Sequence, residues 1–139
     1  LLALDIDHFK KVNDTYGHDK GDVALKTFAL AVQETIRPAT DAIARVGGEE
    51  FIITTIGVDN EERLMAFGER IRKVIERTVW DGDKHFSVSI GAVLFPYSYA
   101  NSIEELMKKA DLALYESKDN GRNRVTIYRE AEQPSFYPS

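Results

Sequence analysis

Apolar residues recur along this chain with two periods, and the changes from one to the other mark out its elements. Leu1-Leu2-Ala3-Leu4 is a continuous apolar run of the kind a fully buried strand carries. Phe9 to Tyr16 reads as a short helix or turn. Asp19 suits the N-cap of a helix running to about Arg37, with Leu25, Phe28, Val32 and Ile36 as one apolar stripe and Pro38 as its stop. Ala42–Val46 and Glu50–Ile56 then read as the arms of a hairpin turned at Gly47-Gly48. Asn60 caps a further helix that buries Leu64, Phe67, Ile71, Val74 and Ile75 and ends near Thr78.

From Lys84 to Phe95, Phe86, Val88, Ile90 and Leu94 alternate with Ser87, Ser89 and Gly91, which predicts the clearest strand of the chain. A glycine inside it marks a place where something approaches closely. Ser102 with Glu105 forms a capping box, Leu106, Ala110 and Leu114 continue an apolar face, Gly121 suits the position after the helix, and Arg124–Tyr128 is a last short strand. Strands alternating with amphipathic helices, plus one hairpin, predict a mixed sheet with helices packed over it, an α+β or α/β sandwich. One domain over residues 1–129 accounts for the pattern; residues 130–139, with Pro134 and Pro138, show no periodicity and are expected to form a flexible tail.

At 139 residues the chain is long enough for one substantial core without covalent staples. The absence of cysteine excludes a disulfide framework and a thiolate zinc site, and three scattered histidines make no HExxH motif. The net charge of −5 argues against a general DNA- or RNA-binding surface, so any polyanion must be met by a local cluster of cations. No apolar stretch approaches the roughly 20 residues of a spanning helix and no signal-peptide pattern is present, which predicts a soluble, cytoplasmic segment without membrane contact. An opening strand with no initiator methionine is expected of a fragment of something longer.

The candidate chemistry gathers where apolar runs end. In Arg45-Val46-Gly47-Gly48-Glu49-Glu50-Phe51, two glycines allow a tight turn and close approach to a bulky ligand, and two carboxylates leave the turn on opposite faces. Asp5 and Asp7 stand at the end of the first strand, where i, i+2 spacing lets both share a face and bind Mg²⁺, or leaves both as solvated acids opening the next turn. Asn13 reads equally as a turn residue, Asp22 as a first-turn acid, and Lys118 and Arg122 as cations favoured at a helix C-terminus.

Taken together, four ordered blocks resemble the GGDEF family, the diguanylate cyclases. The segment from Asp5-Ile6-Asp7-His8-Phe9-Lys10 through Asn13-Asp14 to Gly17-His18-Asp19 and Gly21-Asp22 is similar to the first signature block, and Gly47-Gly48-Glu49-Glu50-Phe51 to the second in its GGEEF variant. Ser89-Ile90-Gly91 and Ala110-Asp111 through Lys118 to Gly121-Arg122-Asn123 resemble the later blocks, so the likeness spans residues 1 to about 128. It implies a nucleotidyl-cyclase, polymerase-palm-like fold with a ferredoxin-like core. The implied activity is nucleotidyl transfer: condensation of two GTP to cyclic di-GMP, with loss of two pyrophosphates, across a homodimer in which each copy holds one nucleotide.

By that resemblance Asp5, Glu49 and the carbonyl of Ile6 would hold two Mg²⁺ or Mn²⁺ ions. Glu49 and Glu50 would serve catalysis, Asn13 and Asp22 would read guanine with His18 orienting its loop, and Lys10, Lys118 and Arg122 would contact phosphate. His8 and His85 are left as structural residues. An upstream sensory or receiver domain is expected, and the competing function is a catalytically silent nucleotide-binding regulator.

One departure stands out. Where many members carry an inhibitory Arg-x-x-Asp site for the product, this chain has Pro38-Ala39-Thr40-Asp41, with Arg37 displaced by one residue. Proline cannot grip a phosphate, so this site is expected to be non-functional.

Overall fold

The computed structural model describes residues 1–95 and 102–130, so the expected tail from 131 to 139 lies outside the described residues. In chain order the first half contains β1 (Leu2–Ile6), α1 (Phe9–Tyr16), α2 (His18–Thr35), β2 (Asp41–Gly47), β3 (Glu50–Thr55) and α3 (Glu61–Arg77). The second half contains β4 (Val79–Asp81), β5 (Lys84–His85), β6 (Val88–Ala92), α4 (Ile103–Asp119) and β7 (Arg124–Ile127). The main sheet has five strands in the order β2-β3-β1-β6-β7. All neighbours are antiparallel except β6 and β7, which α4 connects as a parallel pair. This is the mixed α+β architecture expected.

β1 lies in the middle of the sheet and is buried along its whole length. Because side chains alternate across a strand, its two faces enter different cores. Leu2, Leu4 and Ile6 join Phe28 and Val32 of α2 and Leu64, Ile71 and Ile75 of α3, whereas Ala3 packs with Val93 and with Ala110 and Leu114 of α4. Helices therefore cover both faces. Phe28 sits at the centre of the larger core, its ring 4.9 Å from that of Phe51 and 5.9 Å from that of Phe86. Its burial is worth roughly 1.5–3 kcal/mol.

The smaller core brings α4 onto the backbone of β6. A Cβ added at Gly91 would stand 2.1 Å from the Leu114 amide nitrogen and 2.2 Å from the Ala110 carbonyl oxygen, so only hydrogen fits between helix and strand. Farther along α4, buried Ser117 donates to the Ile90 carbonyl at 2.8 Å and shares a 2.6 Å hydrogen bond with the Thr126 hydroxyl. The end of α4 is thus tied to both β6 and β7.

Two local expectations are corrected. The alternation from Lys84 to Phe95 does not make one strand: Lys84–His85 pairs with Val79–Asp81 as a separate two-stranded ribbon, and Val88–Ala92 alone enters the main sheet. The ribbon reverses at Gly82, whose φ is +56°, and buried Trp80 anchors it edge-on against Tyr16 at 5.8 Å. Period-two patterning runs through the break because Phe86 and Val88 are both buried in the same core. The second correction concerns α2, which begins at His18 with Gly17 as its N-cap. Gly17 takes a φ of +88° that bends the chain between α1 and α2, and Asp19 becomes a first-turn acid rather than the cap.

Candidate active site

The ends of β1, the β2–β3 hairpin, α1 and the turn after α4 converge on one side of the sheet. At the hairpin, Gly48 adopts a φ of +47° and a register shift between Arg45 and Gly47 leaves Val46 as a bulge. The Arg45 Nε donates to the Gly48 carbonyl at 2.7 Å, bracing the turn from its own strand. A 3.4 Å bond from the Ile6 amide to the Glu49 carbonyl ties the turn to the end of β1. Glu50 lies opposite Asp5 in the β1–β3 register.

Asp5 is on the α4 face of β1 and only 5% exposed. Burial raises its carboxyl above the ordinary value, a salt bridge and hydrogen bond from Lys118 pull the other way, and the charges of Glu49 and Glu50 push it up again. Burial wins. Lys118 is the basic residue of the last turn of α4, brought to Asp5 by the anchored Ser117 beside it. Of the two readings left open by the chain, a solvated acid does not hold for Asp5, because β1 is central and α4 closes over its odd-numbered positions.

The other strand-end acid has a different setting. Asp7 accepts hydrogen bonds from the hydroxyls of Ser87 and Ser89, each at 2.6 Å, and from the Asn123 amide at 3.0 Å. Both of its oxygens are occupied. The Asp-x-Asp spacing made the two carboxylates look equivalent, and the fold gives them unlike partners.

Asp5, Ile6, Lys10, Glu49, Lys118 and Arg122 border a single open cleft of about 500 Å³. Lys11 and Asp14 also line it and were not singled out in the sequence, although the Lys10-Lys11 doublet in a short helix was the available signal. Glu50, Asn13, Asp22 and His18 are not part of that wall. Asn13 lies over Gly21, where an added Cβ would come within 1.8 Å of its Oδ1, so its carboxamide sits beside the residue preceding Asp22. His18 is exposed at the first position of α2. His8, read as structural, caps α1 in the left-handed region (φ 57°) and borders the cleft as well.

Residues 1–124 match the family model described as diguanylate cyclase, GGDEF domain. The chain belongs to the GGDEF family. It is 44% identical over 132 residues to probable diguanylate cyclase DgcT of Escherichia coli, covering 91% of this chain and 28% of that protein. It is also 44% identical over 130 residues to diguanylate cyclase A of Treponema denticola, covering 91% of this chain and 34% of the relative. The chain thus spans about a third of the length of these curated relatives. Among solved structures, the active GGEEF domain of a diguanylate cyclase from Vibrio cholerae superposes with a TM-score of 0.80 at 35% identity, over 94% of this chain and 82% of that one. The GGDEF domain of DgcB from Caulobacter crescentus, solved in complex with c-di-GMP, gives a TM-score of 0.76 at 34% identity, over 91% of this chain and 75% of that one.

Divalent metals are typical of GGDEF cyclases, and the donor set here suits a hard cation. Among the described residues no three His, Asp or Glu side chains converge into a ready cage. Mg²⁺ does not require one, since it is usually held by one or two carboxylates and completed by water and substrate phosphate. Asp5, Ile6 and Glu49, which all line the cleft, can offer oxygen donors of that kind.

In the Pro38-Ala39-Thr40-Asp41 segment, Asp41 points inward and is 7% exposed. It accepts from the Thr55 hydroxyl at 2.6 Å, the Arg37 amide at 2.9 Å and the Thr40 hydroxyl at 3.0 Å. Burial would raise its carboxyl, but these bonds, with the Arg37 charge, together hold it below the ordinary value. The displaced Arg37 shares a neighbouring cavity of about 420 Å³ with Arg63 and Arg70.

Proposed function

We propose that this chain is the catalytic domain of a diguanylate cyclase, which condenses two GTP into cyclic di-GMP. The observation that carries this reading is the meeting of Asp5 and Glu49 with Lys10, Lys118 and Arg122 around one cleft, in a chain of the GGDEF family. Each 3′-hydroxyl attacks the α-phosphorus of the other nucleotide, a new P–O bond forms, and the bond to pyrophosphate breaks. One domain holds one GTP, so turnover requires two copies facing each other. Lys10, Lys118 and Arg122 bind the phosphates, and the paired acids Glu49 and Glu50 share binding and acceptance of the hydroxyl proton.

Asp5, Glu49 and the Ile6 carbonyl would hold Mg²⁺ or Mn²⁺, two per half-site. The metal, when bound, stabilises negative charge on the attacking and leaving oxygens. Lys118 meanwhile supplies the countercharge that buried Asp5 needs in the free domain. An upstream sensory or receiver module would bring two domains together. The described residues contain no helix long and apolar enough to cross a membrane, in keeping with a cytoplasmic site of synthesis, whatever anchor the full-length protein carries.

Incubating the full-length protein with GTP and Mg²⁺ or Mn²⁺, and identifying products by chromatography, tests the reading. Cyclic di-GMP is expected; tight GTP binding by a demonstrated dimer that makes none would favour a silent regulator.

Asn13 and Asp22 are the guanine readers in this proposal, and Gly21 provides the means of testing them. A methyl at Gly21 meets the free end of the Asn13 side chain, which can rotate away. Gly21→Ala is therefore expected to leave the melting temperature nearly unchanged while cutting GTP-over-ATP preference about tenfold, and Asn13→Ala is expected to do the same. Unaltered preference in both variants would remove the assignment.

Product inhibition is expected to be weak, because Pro38 replaces the arginine and the Asp41 carboxylate is engaged internally. Any remaining anion grip lies with Arg37, Arg63 and Arg70. Submicromolar inhibition by cyclic di-GMP that persists in an Arg37→Ala, Arg70→Ala double variant would contradict this.

A further inference from the structure

We infer that Asp7 is a positioning residue, which holds Arg122 at the cleft by clamping the turn between α4 and β7. The turn is unusual in its backbone: Gly121, Arg122 and Asn123 take φ values of +118°, +65° and +47° in succession. Glycine accepts such values freely, but two consecutive side-chain-bearing residues do so only when their surroundings enforce it. Here the enforcement is visible. The Arg122 amide donates to the Ser117 carbonyl at 2.9 Å, continuing the anchored end of α4. The Asn123 amide donates to Asp7 Oδ2 at 3.0 Å. The Asn123 side chain accepts from Arg72 Nη1 at 3.1 Å and donates to the Glu76 carboxylate, and Arg72 is itself fixed by Glu69.

Among these contacts Asp7 is the one that joins the turn to the cleft. It follows β1 directly, it is 7% exposed, and Ser87 and Ser89 hold its carboxylate from the β6 side. One carboxylate therefore links the end of β1, the start of β6 and the turn that carries Arg122 into the cleft. With three donors on its two oxygens, Asp7 is spent on this linkage, which separates its role from that of Asp5 despite their shared motif. Its removal would leave two hydroxyls and an amide unsatisfied and let the turn relax toward ordinary negative φ, carrying the guanidinium away.

The inference rests on the functional proposal only in taking Arg122 to meet phosphate, and two measurements in the full-length protein separate the two. Deuterium uptake across residues 120–124 reads the turn, while GTP affinity and KM read its consequence. Asp7→Ala is expected to speed exchange in that segment and to raise KM for GTP about tenfold with a smaller change in kcat. Asp7→Asn keeps a carboxamide oxygen for the Asn123 amide and is expected to restore most of both. In an Arg122→Ala background, Asp7→Ala should add nothing further to KM.

Full additivity of the two substitutions, or unchanged exchange in Asp7→Ala, would overturn the inference. Should Asp7→Ala not fold, a Ser87→Ala, Ser89→Ala double variant keeps Asp7 while releasing its carboxylate from the β6 side, so that the clamp on the Asn123 amide loosens. This double variant is then expected to weaken GTP binding only when Arg122 is present, and an equal loss without Arg122 would overturn the inference. A wild-type protein that makes no cyclic di-GMP defeats the functional proposal instead, and exchange still judges the turn.

Discussion

Asp5→Asn is expected to lower kcat/KM for GTP by at least about a hundredfold while leaving the free domain as stable as the parent or more so. The loss of turnover follows from removing the charged oxygen donor from the wall that carries Glu49. The gain in stability follows from the direction of the Asp5 titration. Burial raises its carboxyl above the unfolded value, so the folded state favours the protonated form. Its stabilising contribution is complete below the unfolded pKa and is lost as pH rises through the folded one. At neutral pH the ionised side chain is therefore a net burden, which a neutral amide of the same shape relieves.

Lys118 loses its partner in this variant, but its side chain is 33% exposed and water can take over. The stability advantage of Asp5→Asn should shrink as pH falls, because wild-type Asp5 then becomes neutral as well. Thermal melts of both proteins from acid to neutral pH, with the cyclase assay at neutral pH, read the two effects separately. Retained turnover would remove Asp5 from the metal site. A much lower melting temperature at neutral pH would mean that the Lys118 pair outweighs the burial of the charge. Glu49→Gln is expected to share the loss of turnover.

Gly91→Ala should destabilise the domain by about 3 kcal/mol or more and abolish activity with it. The added Cβ would meet the Leu114 amide nitrogen at 2.1 Å, the Ala110 carbonyl oxygen at 2.2 Å and the Leu114 Cα at 2.7 Å. All three are backbone atoms of one helix, so no side-chain rotation relieves the contact and α4 must lift from the sheet. That movement breaks the second core of Ala3, Val93, Ala110 and Leu114 and draws Lys118 away from Asp5.

Gly21→Ala offers a contrast: its nominal clash at 1.8 Å is shorter, yet it falls on the mobile end of a side chain and is expected to change selectivity rather than stability. A Gly91→Ala protein that melts within a few degrees of the parent would show that α4 is not seated directly on β6.

The elements that the chain states most clearly are those with one unbroken side-chain period. The apolar run of β1, the stripe from Leu25 to Ile36 and the arms about Gly47-Gly48 all became elements close to their expected bounds. The approach of a neighbour at Gly91 was also readable, because a glycine within an apolar alternation has few other uses. The break between β5 and β6 was hidden, since residues on both sides of it bury their apolar side chains in the same core. The start of α2 was misplaced because a capping carboxylate at Asp19 is a local signal, whereas the bend at Gly17 depends on how α1 and α2 pack.

For the site, the chain by itself determined the inventory: acids at a strand end, acids at a glycine turn, cations after a helix, all in the order of the GGDEF blocks. Only the tertiary structure decided which partners each of those residues meets. Asp5 and Asp7 are two positions apart, but their surroundings come from remote segments. Lys118 reaches Asp5 across 113 residues, and Ser87, Ser89 and Asn123 reach Asp7 across 80, 82 and 116. Periodicity and capping belong to contiguous chain and can be read along it. The charge and reach of a carboxylate are set by the donors folded against it, and those donors are adjacent only in space.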